Sequence, residues 1–153
     1  MRPLLAILLA LAALPAAAQV TPPDSSLPLS QILTGIEADG TRTIYSVEFE
    51  VRRWEIVSCP GRSRFCLEEY VDPVTGVATN SSRETVTILP PRDGMPASQI
   101  AASFEAMNIG SITEMDFDDR RWEVELRNGI RRAEFRVDPI TGAVLRCEGT
   151  LCP

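Results

Sequence analysis

The sequence repeats itself, and no other property constrains the fold of this chain as strongly. Displaced by 68 residues, Pro22-Pro23 falls on Pro90-Pro91, Ser30-Gln31-Ile32 on Ser98-Gln99-Ile100, and Glu37-Ala38 on Glu105-Ala106. The same displacement lays Arg52-Arg53-Trp54-Glu55 on Arg120-Arg121-Trp122-Glu123. Fourteen of 35 positions are identical over Pro22–Ile56. A two-residue deletion then changes the displacement to 66, and Val71-Asp72-Pro73-Val74-Thr75-Gly76 meets Val137-Asp138-Pro139-Ile140-Thr141-Gly142. Matches this dense and in the same order read as a tandem duplication.

Each unit has one internal grammar. Pro28 and Pro96 stand where a helix begins, a position that tolerates proline. Leu29, Ile32, Leu33 and Ile36 follow at helical spacing, as do Ala97, Ile100, Ala101 and Phe104. Both segments read as amphipathic helices with one buried stripe, stopped at Gly40 and Gly110. The period then switches to two. Tyr45, Val47, Phe49 and Val51 alternate with polar residues, as do Thr113, Met115 and Phe117. Second strands carry Trp54 and Trp122, and third strands end in Asp-Pro-x-Thr-Gly. Arg127-Asn128-Gly129 is a hairpin signal between the middle strands of the second unit. In the Asp-Pro-x-Thr-Gly turn, Asp72 and Asp138 hydrogen-bond nearby amides, Pro73 and Pro139 preset φ, and Gly76 and Gly142 supply a positive φ. Thr75 and Thr141 complete the motif. Short fourth strands are expected at Val77–Thr79 and Ala143–Cys147.

The predicted fold is α+β: two tandem repeats, each one amphipathic helix followed by a three- to four-stranded antiparallel β-meander packed on it. The boundaries are a signal peptide at 1–18, repeat 1 at 19–79, and a linker with a candidate strand extension at 80–94. Repeat 2 follows at 95–146, then a disulfide-bearing tail at 147–153. Each unit holds only about 60 residues, a size at which a lone core is marginal, so the units are expected to pack together.

The first eighteen residues read as an address. Arg2 supplies a positive start, Leu4–Leu14 an apolar run, and Ala16-Ala17-Ala18 a small-residue cleavage site. Cleavage after Ala18 leaves 135 residues, with 14 arginines against 21 acids. A periplasmic or secreted protein is expected, with no stable membrane anchor after cleavage. Export makes the four cysteines a disulfide framework first. Three pairings are open. The local ones, Cys59 with Cys66 and Cys147 with Cys152, are expected because each closes a short turn-rich loop.

Composition removes whole classes of chemistry. The chain has no histidine, all 15 of its basic residues are arginine, and its net charge is −6. That leaves no imidazole base or ligand and no lysine for a Schiff base or phosphate loop. The acidic balance argues against a nucleic-acid partner. No cofactor is expected. Met115-Asp116-Phe117-Asp118-Asp119 lacks the pattern of a calcium loop, so no metal site is assigned. Glu55, Glu123, Glu125 and Glu134 read as a solvated ladder beside Arg132 and Arg136, not as an acid–base pair. No catalytic residue is assigned. Trp54 and Trp122 are expected in the core beneath the helices. Arg52, Arg53, Arg120 and Arg121 are candidates for an interface.

Helix, central-aromatic strand pair and terminal Val-Asp-Pro-x-Thr-Gly strand together resemble the PepSY domain, roughly over Leu27–Thr79 and again over Met95–Leu145. PepSY domains are exported or membrane-associated bacterial modules, found in propeptides of thermolysin-type metallopeptidases. The resemblance implies a non-enzymatic binding or regulatory protein of the bacterial envelope, with an envelope protein as partner, a peptidase among the candidates. The alternative is an envelope module that responds to a small ligand or divalent cation through its acidic surface or the groove between repeats.

Overall fold

The computed structural model describes residues 21–153; the expected signal peptide and the expected cleavage point after Ala18 lie outside the described residues. Two helices, α1 (Leu29–Glu37) and α2 (Ala97–Met107), each precede four strands. The first set is β1 (Arg42–Glu50), β2 (Arg53–Pro60), β3 (Phe65–Val71) and β4 (Ala78–Thr85). The second is β5 (Ser111–Asp118), β6 (Arg121–Asn128), β7 (Arg131–Val137) and β8 (Val144–Gly149). All eight strands join in one antiparallel sheet of order β4-β3-β2-β1-β5-β6-β7-β8, so the fold class is α+β.

The sheet is covered on one face. Leu29, Ile32 and Leu33 of α1 and Ala97, Ile100, Ala101 and Phe104 of α2 are buried there, as their helical spacing requires. Helices of nine and eleven residues are marginal alone in water, so burial of this stripe is what holds them. Beneath them lie Ile44, Val47, Trp54, Ile56, Met115, Trp122, Val124 and Phe135, one core drawing on both halves of the chain. A smaller cluster of Val57, Cys59, Cys66 and Val86 packs separately.

The two central hairpins, β1–β2 and β5–β6, close with two-residue turns. Val51 and Arg52 (φ 46° and 69°) mirror Asp119 and Arg120 (φ 44° and 63°). These four left-handed residues match the right-handed twist of the flanking strands, at a steric cost glycine would not carry. Beside each turn a cross-strand aromatic pair meets edge to face: Phe49 with Trp54 at 5.1 Å and Phe117 with Trp122 at 5.4 Å.

Five local expectations change. The left-handed stop of α2 is Asn108 (φ 54°), whereas Gly110 serves a close approach, since a Cβ there would lie 2.7 Å from the Arg127 carbonyl oxygen. In the β6–β7 hairpin Asn128 stays in the strand and Gly129 takes the positive φ. β4 extends to Thr85, taking in polar residues that read as linker. It is the sheet's edge, with every residue exposed, and an edge strand needs no apolar alternation. The strand does not continue through Leu89, because Val86 turns in against the Cys59–Cys66 bridge with its N–H on the Arg64 carbonyl. At the far edge β8 includes Cys147–Gly149, and the last residues fold back so that Leu151 enters the main core.

Candidate functional site

The repeated turn is more than a hairpin. Asp72 Oδ1 accepts from the Val74 amide (2.9 Å), the Thr75 amide (2.8 Å) and the Thr75 hydroxyl (3.0 Å). Asp138 accepts the equivalent bonds from Ile140 (3.0 Å) and Thr141 (2.8 and 3.0 Å). The Thr75 and Thr141 amides, with their hydroxyls, hold the two carboxyls below the usual aspartate range. Gly76 and Gly142 both take φ 70°. Each turn then grips the entry to its helix. Pro73 O accepts from the Leu27 amide (2.9 Å), and Pro139 O from the Met95 amide (2.7 Å). A Cβ at Gly142 would sit 2.6 Å from Met95 Sδ. The motif therefore docks helix to sheet.

The helices are capped in trans, which single-unit reasoning missed. Their N-cap positions are Pro28 and Pro96, which offer no side-chain acceptor, and neither first turn carries an acid. Glu105, near the end of α2, accepts from the Ser30 amide (3.1 Å) and hydroxyl (2.5 Å) at the start of α1. Glu37, the last residue of α1, accepts from the Ala97 (3.1 Å) and Ser98 (3.3 Å) amides of α2. Each carboxylate meets the positive end of the neighbouring helix, so the two helices lie antiparallel and tie the halves together. The available signal was the repeated Glu-Ala at 37–38 and 105–106.

Two clefts open at equivalent places, one at each helix start. The cleft at α2 has a volume of about 290 Å³ and is lined by Glu37, Arg42, Arg62, Pro90, Arg92 and Trp122, among others. The cleft at α1, about 240 Å³, is lined by Asp24, Ser26, Leu27, Trp54, Glu105 and Ser111, among others. Trp54 and Trp122 are each 1% exposed, and neither indole Nε1–H has an acceptor among the described residues.

The arginine pairs are not brought together. β1 and β5 run antiparallel side by side, so the turns bearing Arg52-Arg53 and Arg120-Arg121 lie at opposite ends of the sheet. Arg53 instead stacks 3.7 Å over the Tyr70 ring, and Arg121 lies 3.6 Å from Asp119. The cysteines pair as Cys59–Cys66 and Cys147–Cys152, with Cα separations of 4.1 and 5.8 Å.

The uncovered sheet face is acidic. Register sets Glu55 opposite Glu48, Glu48 opposite Glu114, Glu114 opposite Glu125, Glu125 opposite Glu134 and Glu134 opposite Glu148. Glutamates from six adjacent strands thus form one row. Arginines offset part of it: Arg127 Nε lies 2.6 Å and Arg132 Nη1 3.7 Å from Glu125, and Arg136 Nε lies 3.2 Å from Glu123 in the next row. Partial burial, then neighbouring carboxylates, push Glu55, Glu114 and Asp116 above their ordinary range. Desolvation acts the same way on Glu125, yet the hydrogen bonds from Arg127 and Thr113 leave it lowered. Among the described residues, no three or more Cys, Asp or Glu side chains converge as a metal site requires.

The motif residues thus serve turns, caps and core in an α+β module. Residues 97–148, covering α2 and the last four strands, match the family model of the PepSY domain, the peptidase propeptide and YPEB domain. PepSY domains are propeptide-like modules, and the match lies wholly in the second half of the chain. A solved structure from Clostridium difficile 630, described as a lipoprotein, is similar with a TM-score of 0.49 and 14% identity, over 84% of this chain and 96% of its own. Comparison with curated proteins gives no match. No helix among the described residues is long and apolar enough to cross a membrane.

Proposed function

We propose that the protein is an exported, non-catalytic regulator of the bacterial envelope, built from one PepSY-like unit used twice, and that its partner is an envelope peptidase which it restrains. The match of residues 97–148 to a peptidase-propeptide domain carries this reading. The first half supports the duplication. It has the same helix-then-four-strand order, the same Asp-centred turn, the same edge-to-face aromatic pair and the reciprocal glutamate cap. Two disulfides in a chain with a signal-like start support export to an oxidising compartment.

A propeptide-like module acts by occupying a peptidase, so the test is inhibition. Purified protein with its disulfides intact is used to isolate a partner from periplasmic extract. Progress curves of peptide hydrolysis by that partner are then recorded with increasing protein. Saturable slowing at one protein per enzyme is the expected result. Recovery of no peptidase, or hydrolysis that proceeds unchanged or yields cleaved protein at the same rate, overturns the reading.

A further inference from the structure

The cleft at the start of α2 holds two buried hydrogen-bond donors without an acceptor. Trp122 is almost wholly buried and its indole N–H lacks an acceptor among the described residues; so does the buried Nε–H of Arg42 in the same wall. The other end of the Arg42 guanidinium is engaged by Ser58 and Glu69. Arg62 and Arg92 add two further guanidinium groups to the lining. Glu37 brings the cleft's carboxylate, already committed to the Ala97 and Ser98 amides. Those amides are therefore satisfied, and any attraction for a ligand comes from the side chains. A buried donor without an acceptor costs about 1–3 kcal/mol, so an occupant that supplies oxygen acceptors is favoured.

The wall is also held in place. Cys59–Cys66 closes the β2–β3 hairpin, and Arg62 at its tip (φ 60°) donates from Nη2 to the Pro90 carbonyl at 2.6 Å. This fixes the Pro90-Pro91-Arg92 segment against the first half. Gly94, where a Cβ would lie 2.8 Å from the Pro139 carbonyl oxygen, packs the same segment against the second.

We propose that this cleft binds a carboxylate ligand of about amino-acid to dipeptide size, with Arg92 and Arg62 meeting its charge and the Trp122 indole N–H donating to an oxygen. The volume lies at the small end of ligand pockets. Its counterpart at α1 is an internal control. Trp54 sits there with an equally unpartnered N–H, but the wall carries Asp24 and Glu105 and no arginine, so it repels an anion. The proposal does not depend on the identity of the protein partner.

The chain has two tryptophans, hence two indole N–H signals in a nitrogen–proton NMR spectrum, assigned with Trp54→Phe. The probes are N-acetyl-alanyl-alanine, its C-terminal amide, and succinate. The expected result is a saturable shift of the Trp122 signal with a free carboxylate, while Trp54 stays still and the amide is inert. Saturation by the dipeptide alone assigns a peptide C-terminus; equal saturation by succinate assigns a free small carboxylate, and both support the site. Arg92 is exposed, so Arg92→Gln leaves the fold intact and weakens binding about tenfold, the loss of one charge-assisted hydrogen bond. No shift with either carboxylate overturns the proposal. So do equal movement of both indoles, equal action of the amide, or an Arg92→Gln protein that binds as tightly as the original.

Discussion

At the scale of single residues the two β-turns differ in how well their residues suit them. Asp119 and Arg120 occupy one left-handed turn, and aspartate tolerates that region. Val51 opens the other at φ 46° with a β-branched side chain that is 77% exposed, so no packing repays the strain. Replacement by asparagine keeps the turn and removes the branch. Val51→Asn is expected to stabilise the protein by about 1 kcal/mol, read as a shift of the urea midpoint with unchanged slope. A midpoint that stays put or falls would mean that Val51 makes a contact in the native state worth more than its strain. Arg52 and Arg53, interface candidates in the sequence, also have local duties: one completes the turn, the other stacks on Tyr70.

At the scale of elements, the short helices depend on each other. An aligned carboxylate at the end of its own helix is unfavourable to that helix, yet Glu37 and Glu105 sit there. Each recovers more by capping its neighbour. Glu37→Ala and Glu105→Ala are each expected to cost about 1 kcal/mol, as losses of an N-cap acceptor do. Because the contacts lie at opposite ends of one helix pair, the double variant is expected to cost less than the sum: losing one cap already loosens the other, so each single variant carries part of the second loss. Strict additivity in urea unfolding would show that the helices are held by the sheet alone. Helices, strands and turns were legible in the sequence because each rests on local periodicity and turn chemistry, written twice. The trans caps and the β1–β5 seam were not, because they exist only once the halves dock. For the same reason the turn motif was readable at Asp72 and Gly76, whereas its grip on Leu27 was not. The length of β4 escaped because an edge strand carries no apolar alternation to betray it.

At the scale of the whole molecule, joining the halves through β1 and β5 places Glu48 directly opposite Glu114 and completes a glutamate row over six strands. Like charges directly opposed in a sheet are destabilising, so the seam that unites the core strains the uncovered face. Partial burial, and then these neighbouring carboxylates, make Glu55, Glu114 and Asp116 bind protons more readily folded than unfolded. Their contribution favours the fold at low pH and is lost as pH rises through their raised values. Asp39, Asp72, Asp138 and Glu125 have the opposite sign: the amides of Thr41, Thr75 and Thr141 lower the three aspartates, and Arg127 and Thr113 outweigh burial at Glu125. Their contribution is present above the ordinary carboxylate range and disappears as pH falls below it. Melting temperature is therefore expected to rise on mild acidification from neutral pH, and to fall again once pH drops below the ordinary carboxylate range. High salt should flatten the upper limb by screening the exposed row. Glu114→Gln removes the carboxylate shared by the Glu48 and Glu125 pairs, and should raise stability at neutral pH by about 0.5 kcal/mol while shrinking the gain on mild acidification. A steady loss of stability from neutral pH downward, unchanged in Glu114→Gln, would show that the row is relieved by its arginines and that the turn aspartates alone govern the response.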